Sequence, residues 1–179
     1  HHTSGSMSGK PLRRVCEPRS ELAEASHGRD MRVIINVVFN HTGHGFWPVH
    51  HVLKTGSASP YRRWFHLDDA ALDAGRPLLA YPPAGTSSAD LGYEAWWGLP
   101  ALPKLNTDES AVREYLFGVA EHWLRFGIDG WRLDGPGEID NDGFWQEFRA
   151  RARAVRSAAY LVGGSGHGAP DAPRRPRFG

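Results

Sequence analysis

Between Met31 and Phe39 the chain is apolar at almost every position, with Asn36 the polar residue in the middle. A β-branched run without alternation predicts a parallel strand covered on both faces. Ahead of it, Ser20 to His27 reads as a short helix with Ser20 as N-cap and Gly28 as its stop. Ala111 to Phe126 carries the clearest helical stripe, with Val112, Tyr115, Leu116, Val119, Ala120 and Trp123 on one face. Gly127 closes that helix, and Ile128 to Asp134 follows as a strand. Its alternation puts Ile128, Gly130, Arg132 and Asp134 on one face and Asp129, Trp131 and Leu133 on the other. Asp140-Asn-Asp142 offers a cap for a helix from Phe144 to about Val155, and Ala159 to Val162 is a last short strand.

The stretch from Phe46 to Gly98 is different. It is aromatic, punctuated by Pro and Gly, and holds no sustained period. A loop that long inside a compact domain is usually functional, so it is predicted to be an excursion from a repeating pattern. The order helix, strand, excursion, helix, strand, helix, strand predicts an α/β fold of consecutive βα units, with a parallel sheet and right-handed crossovers.

Composition narrows the function. Lys and Arg number 21 against 20 Asp and Glu, so no charge excess points to nucleic acid. Neither a signal peptide nor a membrane-length apolar run is visible, and the expectation is a cytoplasmic protein with no membrane partner. Cys16 is the single cysteine, which excludes an intrachain disulfide. Seven Trp and five Tyr are many for this length, as core filling or as sugar-stacking platforms. His1 to Met7 looks like an affinity-tag remnant, and residues 1–19 are set aside as tag and irregular lead-in. A complete (β/α)8 barrel needs roughly 200 residues or more. This chain is too short for one once its irregular ends are set aside.

Arg132 and Asp134 are the candidate chemistry. They share a strand face, and Gly135-Pro136-Gly137 stops the strand so that Asp134 stands at its C-terminal end. Ligands collect at that end in parallel α/β folds. An arginine and a carboxylate are costly to bury unless they serve each other or a substrate. The pair is thus either a strut inside the strand or part of a site.

Phe126 to Asp134 resembles the fourth-strand segment of the α-amylase superfamily, glycoside hydrolase family 13. Asn36-Val-Val-Phe-Asn-His41 resembles its third-strand motif, which normally begins with aspartate. Leu102-Pro-Lys-Leu-Asn106 is similar to the motif near the end of its domain B, in the form of the neopullulanase, cyclomaltodextrinase and maltogenic amylase branch. Gly45-Phe-Trp-Pro48, Ser59-Pro-Tyr-Arg62, Trp64-Phe-His66 and Tyr93-Glu-Ala-Trp-Trp-Gly98 resemble the same branch. The likeness runs from about Ser20 to Gly163, from the second helix to the fifth strand of the barrel. It implies an α/β, partial (β/α)8 (TIM) barrel over residues 20–163, with a domain B-like excursion over 41–106 after the third barrel strand. Residues 164–179 would be a degenerate Gly/Pro/Arg-rich tail.

The resemblance also implies roles. Asp134 becomes the nucleophile and Arg132 the residue that orients it, in a retaining hydrolysis of α-1,4-glucans by two carboxylates. His41, Tyr81, Trp97, Lys104 and Glu138 become substrate-binding residues. Asn40 is a calcium ligand in many members, so calcium at Asn40 is the one metal implied and no cofactor is required. The general acid should follow Val162-Gly163, where Gly164 stands, and a third carboxylate on the seventh strand falls beyond the sequence. Glu138 is a weak substitute, since it leaves the same strand end as the nucleophile. Asn36 in place of aspartate gives Arg132 a neutral acceptor rather than a charge-assisted one, while Arg132 beside Asp134 would favour the ionised nucleophile. Activity is expected to be weak or absent. A non-catalytic α-glucan-binding or structural remnant is the alternative. A zinc hydrolase using His41, His44, His50, His51 and His66 is disfavoured, because no histidines stand at the helical spacing such a site favours. Three strands cut from a ring leave open edges and an inner face bearing Ile34, Val38 and Ile128, which predicts a homodimer or higher homo-oligomer unless the excursion covers that face.

Overall fold

The computed structural model of the chain describes residues 17–139 and 141–163. The tag remnant, most of the lead-in, Asp140, Gly164 and the tail lie outside the described residues. Three strands, β1 (Ile34–Val38), β2 (Gly130–Asp134) and β3 (Tyr160–Gly163), form one sheet in the order β1-β2-β3, and both pairs are parallel. The predicted strand order and direction hold, but the ladder is shorter. Val33 does not open the strand, because its N–H goes to the Asp129 carboxylate at 2.7 Å. β2 and β3 run so close at Gly130 that a Cβ there would meet the Tyr160 carbonyl. Glycine is required at that crossing.

The helices shift from their predicted limits for identifiable reasons. α1 (Glu17–His27) begins before Ser20, which therefore lies inside the helix instead of capping it. The left-handed residue after it is Asp30 (φ 61°), where a short polar side chain is tolerated, and not Gly28. α2 (Trp47–Thr55) was missed in the sequence, since His50 and His51 break its apolar stripe; Pro48 sits in its first turn, where a missing N–H costs nothing. A short α3 (Asp69–Asp73) follows, capped by the Asp68 carboxylate on the Ala71 N–H. α4 (Ser110–Arg125) buries Val112, Leu116, Phe117, Ala120 and Leu124. Its buried stripe is rotated from the predicted one, leaving Tyr115 exposed, because α5 (Asp142–Val155) packs on the Phe117 side with Phe117 and Phe144 rings 4.9 Å apart. Asn141 caps α5 by accepting the Phe144 N–H at 3.1 Å.

One core joins these parts. Ile35, Val37, Trp131, Leu133 and Leu161 lie against it from the sheet, and Phe144, Phe148 and Ala152 from α5. Fully burying one such large side chain contributes about 1.5–3 kcal/mol. The excursion shares this core through Val49, Val52, Phe65 and Leu105, so it is packed onto the sheet unit rather than hanging from it. Ile128 is also in this core at 3 % exposure, which corrects its assignment to the inner face.

The opposite sheet face stays open among the described residues. It carries Ile34, Asn36 and Tyr160, all exposed, with Arg132 and Asp134 between them. The excursion does not cover it. At the other end of the strands the buried Asp129 accepts from the Val33 N–H, from His27 Nε2 at 2.7 Å and from Arg156 Nη2 at 2.5 Å. One carboxylate thereby ties α1, the start of β1 and the segment after α5.

Candidate active site

Asp134 ends β2, and a left-handed Gly135 (φ 56°) turns the chain away into the Pro136–Glu138 turn. Arg132, two residues earlier on the same face, hydrogen-bonds Asp134 through Nη1, and the same nitrogen donates to Asn36 Oδ1 at 3.0 Å. Asn36 is the register partner of Arg132, and Val38 that of Asp134. Both side chains of the Arg132–Asp134 pair are nearly half exposed, at 43 % and 46 %. A pair that only braced the strand would be expected inside the core. This one faces the open side.

Asn40 and His41 leave β1 just past the level of Asp134. The excursion returns beside them: His41 bridges Lys104, and Asn40 O accepts the Leu105 N–H at 2.9 Å. Lys104 Nζ is held by Glu94 at 2.8 Å. The His41 ring stacks on Trp96, with centroids 4.6 Å apart and planes 16° off parallel, and Trp96 stacks on Trp97 at 4.4 Å and 17°. Burial pushes the His41 imidazole below its ordinary range, while the charges of Asp134 and Glu138 pull the other way. His41 leaves β1 just past Val38, the register partner of Asp134, and Glu138 stands in the turn after β2, so the three lie at the same end of the sheet.

Tyr81 does not join this group through any contact of its own; its ring meets His44 edge-on at 5.0 Å and is 85 % exposed. Asn40 is buried, with its amide on His41 Nδ1 at 3.3 Å. Calcium takes six to eight oxygen ligands, usually with several carboxylates. Among the described residues no group of three or more His, Cys, Asp or Glu could hold a metal ion. No step is derived through calcium. Of the histidines considered for zinc, His44 pairs with the Pro100 carbonyl and His51 with Ser59.

The profile of the family described as Alpha amylase, catalytic domain, matches residues 16–172. The chain belongs to this family. It is 39 % identical over 154 residues to a cyclomaltodextrinase of Geobacillus thermopakistaniensis, covering 86 % of this chain and 24 % of that protein. To neopullulanase 2 of Thermoactinomyces vulgaris it is 38 % identical over 149 residues, covering 83 % and 23 %. A crystal structure of the debranching enzyme of Nostoc punctiforme, soaked with acarbose, superimposes with a TM-score of 0.73 at 45 % identity, covering 82 % of this chain and 29 % of that one. The chain thus spans about a quarter of the length of the curated relatives it matches.

The three parallel strands and their helices are consecutive βα units of the alpha-amylase (β/α)8 barrel, and the open face is the one turned to the barrel interior. Two participants escaped the sequence reading of this family member. Trp96 is the ring on which His41 rests, and Glu94 is the anchor of Lys104. The adjacent tryptophans signalled aromatic surface, but their partner stands 55 positions earlier.

The His41 environment is testable. In an NMR titration its imidazole is expected to titrate below 6.5. Asp134→Asn should lower it further, because the lost negative charge opposed the effect of burial. An upward move on that substitution would mean that Asp134 and His41 do not face each other.

Proposed function

We propose that this chain carries the nucleophile side of a retaining α-glucan hydrolase site. The observation that supports this reading is the half-exposed Asp134 at a barrel strand's C-terminal end, paired to Arg132, with the stacked His41 leaving the neighbouring strand at the same end. Asp134 attacks the anomeric carbon as the bond to the leaving oxygen breaks, and water then releases the sugar and regenerates the carboxylate. Arg132 orients Asp134, while His41, Tyr81, Trp97, Lys104 and Glu138 contact substrate. Residues 20–163 form the catalytic unit and 41–106 its domain B-like excursion. The acid position after β3 is Gly164, so the leaving oxygen lacks its proton donor and turnover is weak. Release of chromophore from a nitrophenyl maltooside should disappear in Asp134→Ala. Unchanged release in that variant would refute the assignment.

The second reading, an α-glucan-binding remnant, is favoured by the same glycine. It is distinguished by calorimetry showing maltooligosaccharide binding with no turnover at all.

We also propose self-association through the open sheet face. Ile34 and Tyr160 stand exposed on it, 36 % and 52 %, beside two strand edges that are unpaired among the described residues. Light scattering across a dilution series should show a homodimer or larger species. A stable monomer at micromolar concentration would count against it.

A further inference from the structure

Trp97 adopts φ 53° and ψ 23°, the left-handed region that a bulky side chain rarely occupies. It does so inside a turn that is otherwise well tied. Trp96 N–H donates to the Leu102 carbonyl at 2.9 Å, and the Gly98 and Leu99 N–H groups donate to the Ala95 and Trp96 carbonyls at 3.0 Å each. Glycine or asparagine would meet this conformation with less strain. Burial does not explain the tryptophan, since 65 % of it is exposed. Strain of this kind is retained where something else depends on the side chain, and it clusters at ligand clamps.

What the conformation achieves is visible in the rings. It lays Trp97 flat on Trp96, which lies flat on His41, giving a column of three aromatic planes that starts where β1 ends, at the same end of the sheet as Asp134, and ends in solvent. One Trp97 face is taken by Trp96. The other is the free end of the column. We propose that this outer face is a separate subsite that stacks a glucosyl ring of a longer α-glucan chain, beyond the ring held at Asp134. This rests on the α-glucan reading given above and adds to it a preference for chain length. The chemistry suits the ligand: the C–H groups of a glucose face carry partial positive charge and meet the negative face of the indole, while the ring hydroxyls remain in water. The left-handed backbone is the strain accepted for presenting that face.

The test is calorimetry of the intact chain with maltose, maltotriose and maltohexaose, comparing Trp97→Asn with the unchanged protein. Asparagine tolerates the backbone, so the melting temperature should stay level or rise. Maltohexaose affinity should fall about tenfold, the loss of one stacking contact, and maltose affinity by clearly less. Trp97→Phe keeps a flat face and should recover most of that difference. Equal binding by Trp97→Asn at every length overturns the subsite and leaves the α-glucan reading standing. An equal loss for maltose and maltohexaose also overturns it, because Trp97 would then act through His41. Absence of binding by the unchanged chain at any length removes the α-glucan reading and the subsite together.

Discussion

Maltotriose should be cleaved by this chain far more slowly than a maltoside carrying a strongly acidic phenol. The ratio of the two rates should exceed that of a complete family enzyme by about 10²–10⁴-fold, the usual contribution of general acid catalysis. The reason lies in the leaving group. An acidic phenol departs as its anion without help, whereas a sugar alkoxide must be protonated as its bond breaks. On the proposed reading Asp134 attacks in both cases, but the position after β3 holds Gly164, which has no proton to give. Asp134→Asn should abolish both reactions, and Gly164→Glu should narrow the ratio. A ratio equal to that of a complete enzyme would show that another group, Glu138 being the nearest by sequence, supplies the proton.

Asp129→Ala is expected to destabilise the fold by about 3–5 kcal/mol, since one buried acceptor serves three donors and its removal strands the Arg156 charge and the Val33 N–H. For a chain of this size that is a drop in melting temperature of roughly 10 °C or more. The pH dependence follows from the same contacts. Burial opposes the Asp129 charge, but the Val33 N–H, His27 and Arg156 outweigh it and hold the carboxyl below its ordinary range. A depressed carboxylate contributes stability above its unfolded value, near pH 4, and loses that contribution as pH falls through the folded value. Circular dichroism melts from pH 7 to 3 should therefore fall more steeply for the unchanged protein than for Asp129→Asn. Parallel acid curves would mean that Asp129 is not the linked group.

These two carboxylates divide what the sequence could tell. The Arg132–Asp134 pairing was legible in the chain alone, because period-two alternation puts the two on one face and the Gly-Pro-Gly that follows ends the strand there. Asp129 lies one face over and drew no such attention. Its partners, His27, Val33 and Arg156, come from three separate parts of the chain, and no local pattern joins them.

The same division runs through the whole protein. The parallel strands and their order were set by sequence, since strand-length apolar runs separated by crossover helices must run the same way in one sheet. Which side of α4 is buried was decided by the docking of α5, which brought in Phe117 and Leu124 and left Tyr115 in solvent. The ring column needed tertiary structure most. His41 and Trp96 meet only because the excursion returns along Lys104 and Leu105 to the exit of β1. Periodicity records what each residue shares with neighbours three or four positions away. Contacts closed by long loops depend instead on where the core fixes the loop's two ends, and that is a property of the folded chain.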